Sequence, residues 1–274
     1  MLLRTNTIDD IVMSLASAPV DERTGNKVIY SANWIADKPS MIGQENPDWI
    51  RRELDWFFSG SNKLADMEEP VPALFKACGG HDGKVNSAYG HVLFNGSAEG
   101  INPAHGSLFD RVLDTFLREG KGTRHAVAII SDRDIHELAT YNGRNDFICT
   151  NALNFMIDAD DQLHIIAQMR SMDAVFGYRA DYSMWNVLMD FLLGALELTY
   201  PELTRGNITF QVANLHVYPR HFQLLEDTAA DTDERLARRV WQGSAEALFG
   251  PNPGPSFSER MGIKPRPITD NPQA

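Results

Sequence analysis

Between residues 145 and 191 the chain changes its hydrophobic period once, and that change fixes what can be built from it. From Phe147 to Ile157 strand-forming residues predominate, with Leu153, Phe155 and Ile157 expected on the same face as Cys149. Leu163, Ile165, Ala167 and Met169 then alternate with His164, Ile166, Gln168 and Arg170, and the acidic DADDQ segment between the two runs reads as a surface turn. After a glycine-containing bend the period lengthens. Tyr182, Trp185, Leu188, Met189 and Leu192 recur at helical spacing, which predicts a helix with Asp181 at its mouth. The order strand, turn, strand, bend, helix predicts an α/β chain.

Taken singly, the polar residues of this stretch have ordinary explanations. A strand cysteine is usually a small hydrophobe, an Asp before an apolar helix is usually an N-cap, and Arg-Ser at a strand end is usually surface chemistry. Together they resemble one family. RSMDAVFGYRAD is similar to the Arg-Ser-x-Asp-x-x-x-Gly signature of thymidylate synthases and their relatives, which is followed by a polar residue that reads the pyrimidine. In that family the catalytic cysteine lies about one hairpin upstream, where Cys149 lies here. The resemblance extends from about Arg23 to Phe222. It implies a thymidylate synthase-like fold, a mixed sheet flanked by helices in a single domain over 1–274, working as a dimer on a nucleotide with 5,10-methylenetetrahydrofolate.

Composition is consistent with one sizeable core, since 43% of the 274 residues are hydrophobic. A net charge of −12 argues against nucleic acid or an anionic membrane as partner. Two cysteines, Cys78 and Cys149, make no disulfide framework and fit a reducing cytoplasm. The start MLLRTNTIDD carries no long apolar run, so neither a signal peptide nor a membrane span is expected.

In chain order, Ile8 to Leu15 predicts a short helix ended by Pro19, and DERTGNKVIYSANW a turn entering a strand. The family holds its substrate phosphate with an Arg-Thr-Gly loop, a role the resemblance gives to Arg23; a guanidinium fork suits phosphate oxygens. Residues 47–60 predict a helix with Trp49, Ile50, Leu54, Phe57 and Phe58 buried. Glu53 falls on that stripe, where it either reaches water at the edge or is desolvated into an acid/base range. Similarity to the family's Glu-Leu-x-Trp-Phe motif favours the second and marks Glu53 as the catalytic glutamate. Residues 61–88 are loop-rich without a clear order, and Cys78 reads as structural. Tyr89-Gly90 resembles a family pair whose tyrosine helps remove the C5 proton, although a core tyrosine fits equally. Residues 107–119 predict an amphipathic helix with Leu108, Val112, Phe116 and Leu117 inward. Arg124 matches the first of two arginines that relatives extend into the partner subunit's phosphate site, and His125 replaces the second. The resemblance thus implies a homodimer.

Downstream, NITFQVANLHVY reads as a strand, and LHVYPRHF resembles the family's His-x-Tyr-x-x-His, which assigns the sugar 3′-hydroxyl to His216 and Tyr218. Arg170, Ser171 and Asp173 belong to the substrate-binding signature. No metal is expected, since these histidines lack partners at ligand spacing. Residues 233–248 predict a charged helix. The Pro-rich tail, residues 250–274, resembles a family C-terminus that folds over the site.

The implied chemistry is addition of a Cys149 thiolate, its pKa lowered by neighbouring arginines, to C6 of a pyrimidine, which makes C5 nucleophilic toward the folate's one-carbon unit. Asp181 stands where thymidylate synthases carry Asn. An amide suits uracil, whereas a carboxylate sharing one proton suits the N4 amine and N3 acceptor of cytosine. YRADYSMW is accordingly similar to the deoxycytidylate hydroxymethylases of this family, and dCMP hydroxymethylation is expected. Ile148 and Thr150 replace the usual Pro and His beside the cysteine, which fits altered handling of water, and Ser171 favours deoxyribose. A dCMP methyltransferase, a CMP hydroxymethylase and a catalytically silent nucleotide-binding relative are the alternatives.

Overall fold

A computed structural model describes residues 6–44, 46–95, 106–131, 143–144 and 146–231. The expected helix at residues 233–248 and the tail at 250–274 lie outside the described residues. Helix α1 (Ile8–Ser17) starts at a capping box in which Thr7 and Asp10 satisfy each other's backbone donors, and it buries Ile8, Ile11, Val12 and Leu15. Strand β1 (Lys27–Ile35) follows the turn at residues 21–26, which Asp21 ties by accepting from Thr24 N and Oγ1 at 2.8 Å each.

Helix α2 (Pro47–Phe58) begins with proline in its first turn and ends before Gly60, as expected. It is buried on two sides rather than along one stripe. Ile50, Leu54 and Phe57 enter the main core, while Trp56 joins a smaller cluster with Met67, Val71, Val85 and Ala88. Trp49 is half-buried and packs on that smaller cluster, and Arg52 is buried with its guanidinium 5.4 Å over the Trp49 ring. The unordered region after α2 therefore folds around a core of its own, with a short helix α3 (Ala73–Cys78).

Helix α4 (Tyr89–Phe94) lies against α2 so closely that a Cβ at Gly90 would overlap the Phe57 carbonyl. Helix α5 (Leu108–Glu119), capped by Ser107 and Asp110, buries Val112 and Phe116 as expected and packs Leu108 on the core, but Phe109 and Thr115 lie inward where Leu117 was expected, and Leu117 is exposed.

The described strands form one sheet in the order β1-β6-β4-β3-β2: β2 (Val127–Ile129), β3 (Thr150–Ile157), β4 (Gln162–Met169) and β6 (Thr204–Val217), with β5 (Met172–Asp173) beside the end of β6. β3 and β4 make the expected hairpin, and Asp158 closes its turn by accepting from Asp160 N and Gln162 N. Leu163, Ile165, Ala167 and Met169 are buried as the alternation required. β3 departs from it. An extra residue near Asn151 shifts the register, so Thr150 sits opposite Met169 on the core face with Leu153, Phe155 and Ile157, and Cys149, just before it, is half-buried against the same core.

Helix α6 (Phe176–Leu196) starts five residues before Asp181 and crosses the buried face of the sheet against β4, β6 and α2. Asp181 is thus not at the helix mouth. Asp173 caps it instead, accepting from Val175 N at 3.0 Å and Phe176 N at 3.3 Å. Tyr178 and Arg179 clamp the segment after β1: Tyr178 Oη donates to Lys38 O at 2.6 Å, and Arg179 donates to Ser40 Oγ and Ile42 O. A 3₁₀ turn (Pro219–His221) and helix α7 (Phe222–Ala230) close the described chain. Among the described residues no helix is long and apolar enough to cross a membrane.

Candidate active site

The start of β3, the ends of β4 and β6, and the start of β1 lie together at one end of the sheet, because Thr150 pairs with Met169, Met172 with Leu215, and Lys27 with Val217. Cys149 sits at this end, half-buried. Its carbonyl accepts from Arg170 N at 2.9 Å. The Arg170 side chain wraps the segment before β3, donating from Nε to Ile148 O at 2.7 Å and from Nη2 to Phe147 O at 2.5 Å and Cys149 Sγ at 3.5 Å. It also lies 4.6 Å over the Phe147 ring. The expected lowering of the thiol pKa is corrected here. Burial pushes Cys149 up to about 11; Arg170 opposes the rise, and the Asp181 and Asp146 charges add to it. The sulfur is a thiol at neutral pH and must lose its proton in concert with substrate binding.

Asp146 also orders the approach to Tyr89. Its carboxylate accepts from Ser87 N at 2.7 Å and Ser87 Oγ at 2.8 Å, and its carbonyl accepts from Asn86 Nδ2 at 2.8 Å. This pins the start of α4 beside Cys149. Tyr89 is buried, with its ring 5.8 Å from Trp185 of α6. Its hydroxyl is pushed well above the usual phenol range by burial first, then by the charges of Asp181 and Cys149. A tyrosine that feels both is shared between the two.

The close α2–α4 contact carries Glu53 into the same neighbourhood. Burial raises its carboxyl to about 7, outweighing the opposing influence of Trp49. Asp181, in the second turn of α6, is buried and held well above the carboxylate range, by desolvation first and by the Glu53 charge second. Both carboxyls are therefore pushed toward their protonated forms, and Glu53, at about 7, can ionise near neutral pH. Cys149, Tyr89, Asp181, Glu53 and Arg170 form one electrostatically coupled group.

A second group flanks it. His216 and Tyr218 stack edge-on with ring centroids 5.0 Å apart, and His216 Nδ1 lies 3.1 Å from Asn214 Oδ1. Burial lowers the His216 pKa, against the nearby Asp173 charge, so this imidazole is neutral at pH 7. Burial raises Tyr218, and the charges of Asp173 and Cys149 also reach it. Ser171 is half-buried between Arg170 and the helix-capping Asp173. Arg23 is exposed on the turn whose Gly25 faces Pro219, so its turn borders this group. Arg124 is exposed in the loop before β2, and no hydrogen bond or ion pair among the described residues joins it to the site. Beside it His125 Nδ1 lies 2.8 Å from Glu119 Oε2.

Sequence reading missed two contributors, Asp146 and the Trp185 indole. Asp146 is a loop acid with no local signal. Trp185 Nε1 is a fully buried polar atom without a hydrogen-bond partner among the described residues, and its ring lies beside Tyr89, whose hydroxyl the Thr150 side chain also reaches. Trp185 was readable in part, since it falls one helical turn after Asp181 and hence on the same face. Among the described residues no three His, Cys, Asp or Glu side chains converge as a metal site.

The comparisons bear on this arrangement. The family profile for thymidylate synthase matches residues 45–246. The deoxycytidylate 5-hydroxymethyltransferase of Enterobacteria phage T6 is 27% identical over 252 residues, spanning 89% of this chain and 99% of that protein. The enzyme of the same name from Enterobacteria phage T4 is 28% identical over 254 residues with the same coverage. Among solved structures, the thermostable thymidylate synthase A of Bacillus subtilis superposes with a TM-score of 0.62 at 17% identity, covering 82% of this chain and 83% of that one, which is a likeness of fold.

Proposed function

Because the chain belongs to the thymidylate synthase family, we propose that it is a one-carbon transferase acting as a dCMP 5-hydroxymethylase. The observations that support the choice of base are the burial of Asp181, the upward push on its carboxyl and its coupling to the cysteine site. A carboxylic acid offers one acceptor and one donor. Toward cytosine the acceptor meets the N4 amine and the proton lies between Asp181 and N3. N3 is a basic ring nitrogen, so the proton can reside on either partner and strengthen the pair. Uracil offers a weakly basic carbonyl instead and has no such option.

Sγ of Cys149 adds to C6 of the base as its proton leaves, and the ring electrons move to C5. 5,10-Methylenetetrahydrofolate supplies the one-carbon unit that C5 takes up. An exposed Phe176 ring, edge-on to His221 with centroids 5.1 Å apart and one helical turn from Asp173, offers a flat apolar surface beside an acceptor, which suits a pterin. Loss of the C5 proton, which Tyr89 would assist, expels the folate as tetrahydrofolate with the electron pair of its N–CH₂ bond and leaves an exocyclic methylene on the ring. Water then adds to the exocyclic carbon of the nucleotide, its proton passes to Glu53, and the electron pair returns through the ring to expel Sγ. Glu53 suits this work with a pKa of about 7. The unpartnered Trp185 Nε1 is the kind of buried donor that an ordered water satisfies, which supports water rather than hydride as the final reactant.

Arg23, Ser171 and the remaining Nη1 end of Arg170 hold the phosphate, and His216 and Tyr218 the sugar 3′-hydroxyl. Arg124 serves the phosphate of a second copy in a homodimer. Incubation with dCMP and the folate tests the whole reading by product mass: addition of one CH₂O unit is expected. A methyl product would contradict the role of water, and no product from dCMP the role of the site.

A further inference from the structure

The substrate phosphate is a dianion approaching a chain of net charge −12, so the site needs cations that are free to meet it. Fewer are free than the sequence suggests. Arg170 directs Nε and Nη2 at Ile148 O, Phe147 O and Cys149 Sγ. His125, beside Arg124, faces Glu119 of its own chain. Arg220 is differently placed. It sits on the exposed 3₁₀ turn directly after β6, its guanidinium carbon lies 4.6 Å over the Tyr218 ring, and it makes no hydrogen bond or ion pair among the described residues.

The neighbouring residue ties this turn to the phosphate end of the site. A Cβ at Gly25 would lie 3.6 Å from Pro219 Cγ, so the turn bearing Arg220 rests on the turn bearing Arg23. The pairing of Lys27 with Val217 holds the two turns side by side. Tyr218 between them is a sugar-end residue whose ring serves as a platform for the guanidinium.

Resting on the reading that the site takes a pyrimidine nucleoside monophosphate, we propose that Arg220, stacked on Tyr218 beside the Arg23 turn, is a further phosphate-binding residue that makes up for the second arginine replaced by His125. A stacked guanidinium keeps its outer donors pointing away from the ring, where they can form charge-assisted bonds to phosphate oxygens.

The test measures binding of dCMP, dUMP and deoxycytidine to the full chain and to its Arg220→Gln and Arg220→Lys variants at low and high salt. Arg220→Gln is expected to weaken dCMP and dUMP by about tenfold while leaving deoxycytidine unchanged, as loss of one phosphate contact would. The deficit should shrink as salt is raised, and Arg220→Lys should recover part of it. Equal binding of the nucleotides by Arg220→Gln, or an equal loss for deoxycytidine, would overturn the assignment. A weaker folate with unchanged dCMP would move Arg220 to the folate's carboxylate end and also overturn it. Because the phosphate contrast is independent of base, it reads Arg220 even where dUMP proves the better ligand, an outcome that would count against the base reading alone.

Discussion

Glu53 and Asp181 share a buried corner in which two carboxyl groups cannot both ionise without cost. For Glu53 this has a thermodynamic sign. Its folded pKa, about 7, lies above the model value of 4.5, so the folded state holds more protons than the unfolded state across that window. Stability is therefore highest below 4.5 and falls as pH rises toward 7. Glu53→Gln removes the penalty. Relative to the parent chain, its stability in urea is expected to improve by about 2 kcal/mol more at pH 8.5 than at pH 5.5, while turnover is lost. A pH-independent difference would show that Glu53 is not desolvated. Cys149 follows the same physics, with a different consequence. Arginine proximity suggested a ready thiolate, but burial outweighs Arg170, and burial was not visible from residue types alone.

Elements, not single residues, bring the site together. α2 and α4 meet where Gly90 lacks a side chain, and that contact sets both Glu53 and Tyr89. Gly90→Ala should push the two helices apart, costing about 1–3 kcal/mol of stability as overpacking does. Activity should fall by more than the unfolded fraction explains; thermal unfolding and turnover on the same samples separate the two effects. The helices at 8–17 and 47–58 and the β3–β4 hairpin were legible in the sequence because each combines a clear period with a terminal signal: a cap, a proline or an acidic turn. The position of Asp181 was misjudged because the GYRA segment before it looks like a bend, yet it folds as the first turns of α6 once Tyr178 and Arg179 find Lys38, Ser40 and Ile42 far away in sequence. The register shift between Thr150 and Ala152 was not legible, because a β-bulge leaves no periodic trace. The cluster under residues 61–88 was unreadable for a similar reason: its core draws Trp56 from a helix whose other side already had a sufficient stripe.

At the scale of the whole molecule, the helices that cross the sheet cover one face, and the other carries Ile129, Met156, Ile166, Gln168 and Gln211. A second copy docking there is the arrangement by which Arg124 would reach a partner's phosphate site. Sedimentation should then give twice the 30.7 kDa chain mass. Mixed Cys149→Ala and Arg124→Ala chains, each inactive alone, should regain up to about a quarter of the parent activity, since half the random dimers carry one intact site. No recovery in a confirmed dimer would confine Arg124 to its own chain.

Release of tritium from C5 of dCMP and of dUMP, compared in the parent chain and in Asp181→Asn, reads whether Asp181 presents cytosine to Cys149. The parent is expected to prefer dCMP strongly, and Asp181→Asn to lose roughly 100-fold or more in kcat/KM for dCMP while gaining on dUMP, because an amide can donate an N–H to N3 but cannot transfer its proton to it. Release from dUMP in preference to dCMP by the parent chain, or an unchanged preference in Asp181→Asn, would contradict it.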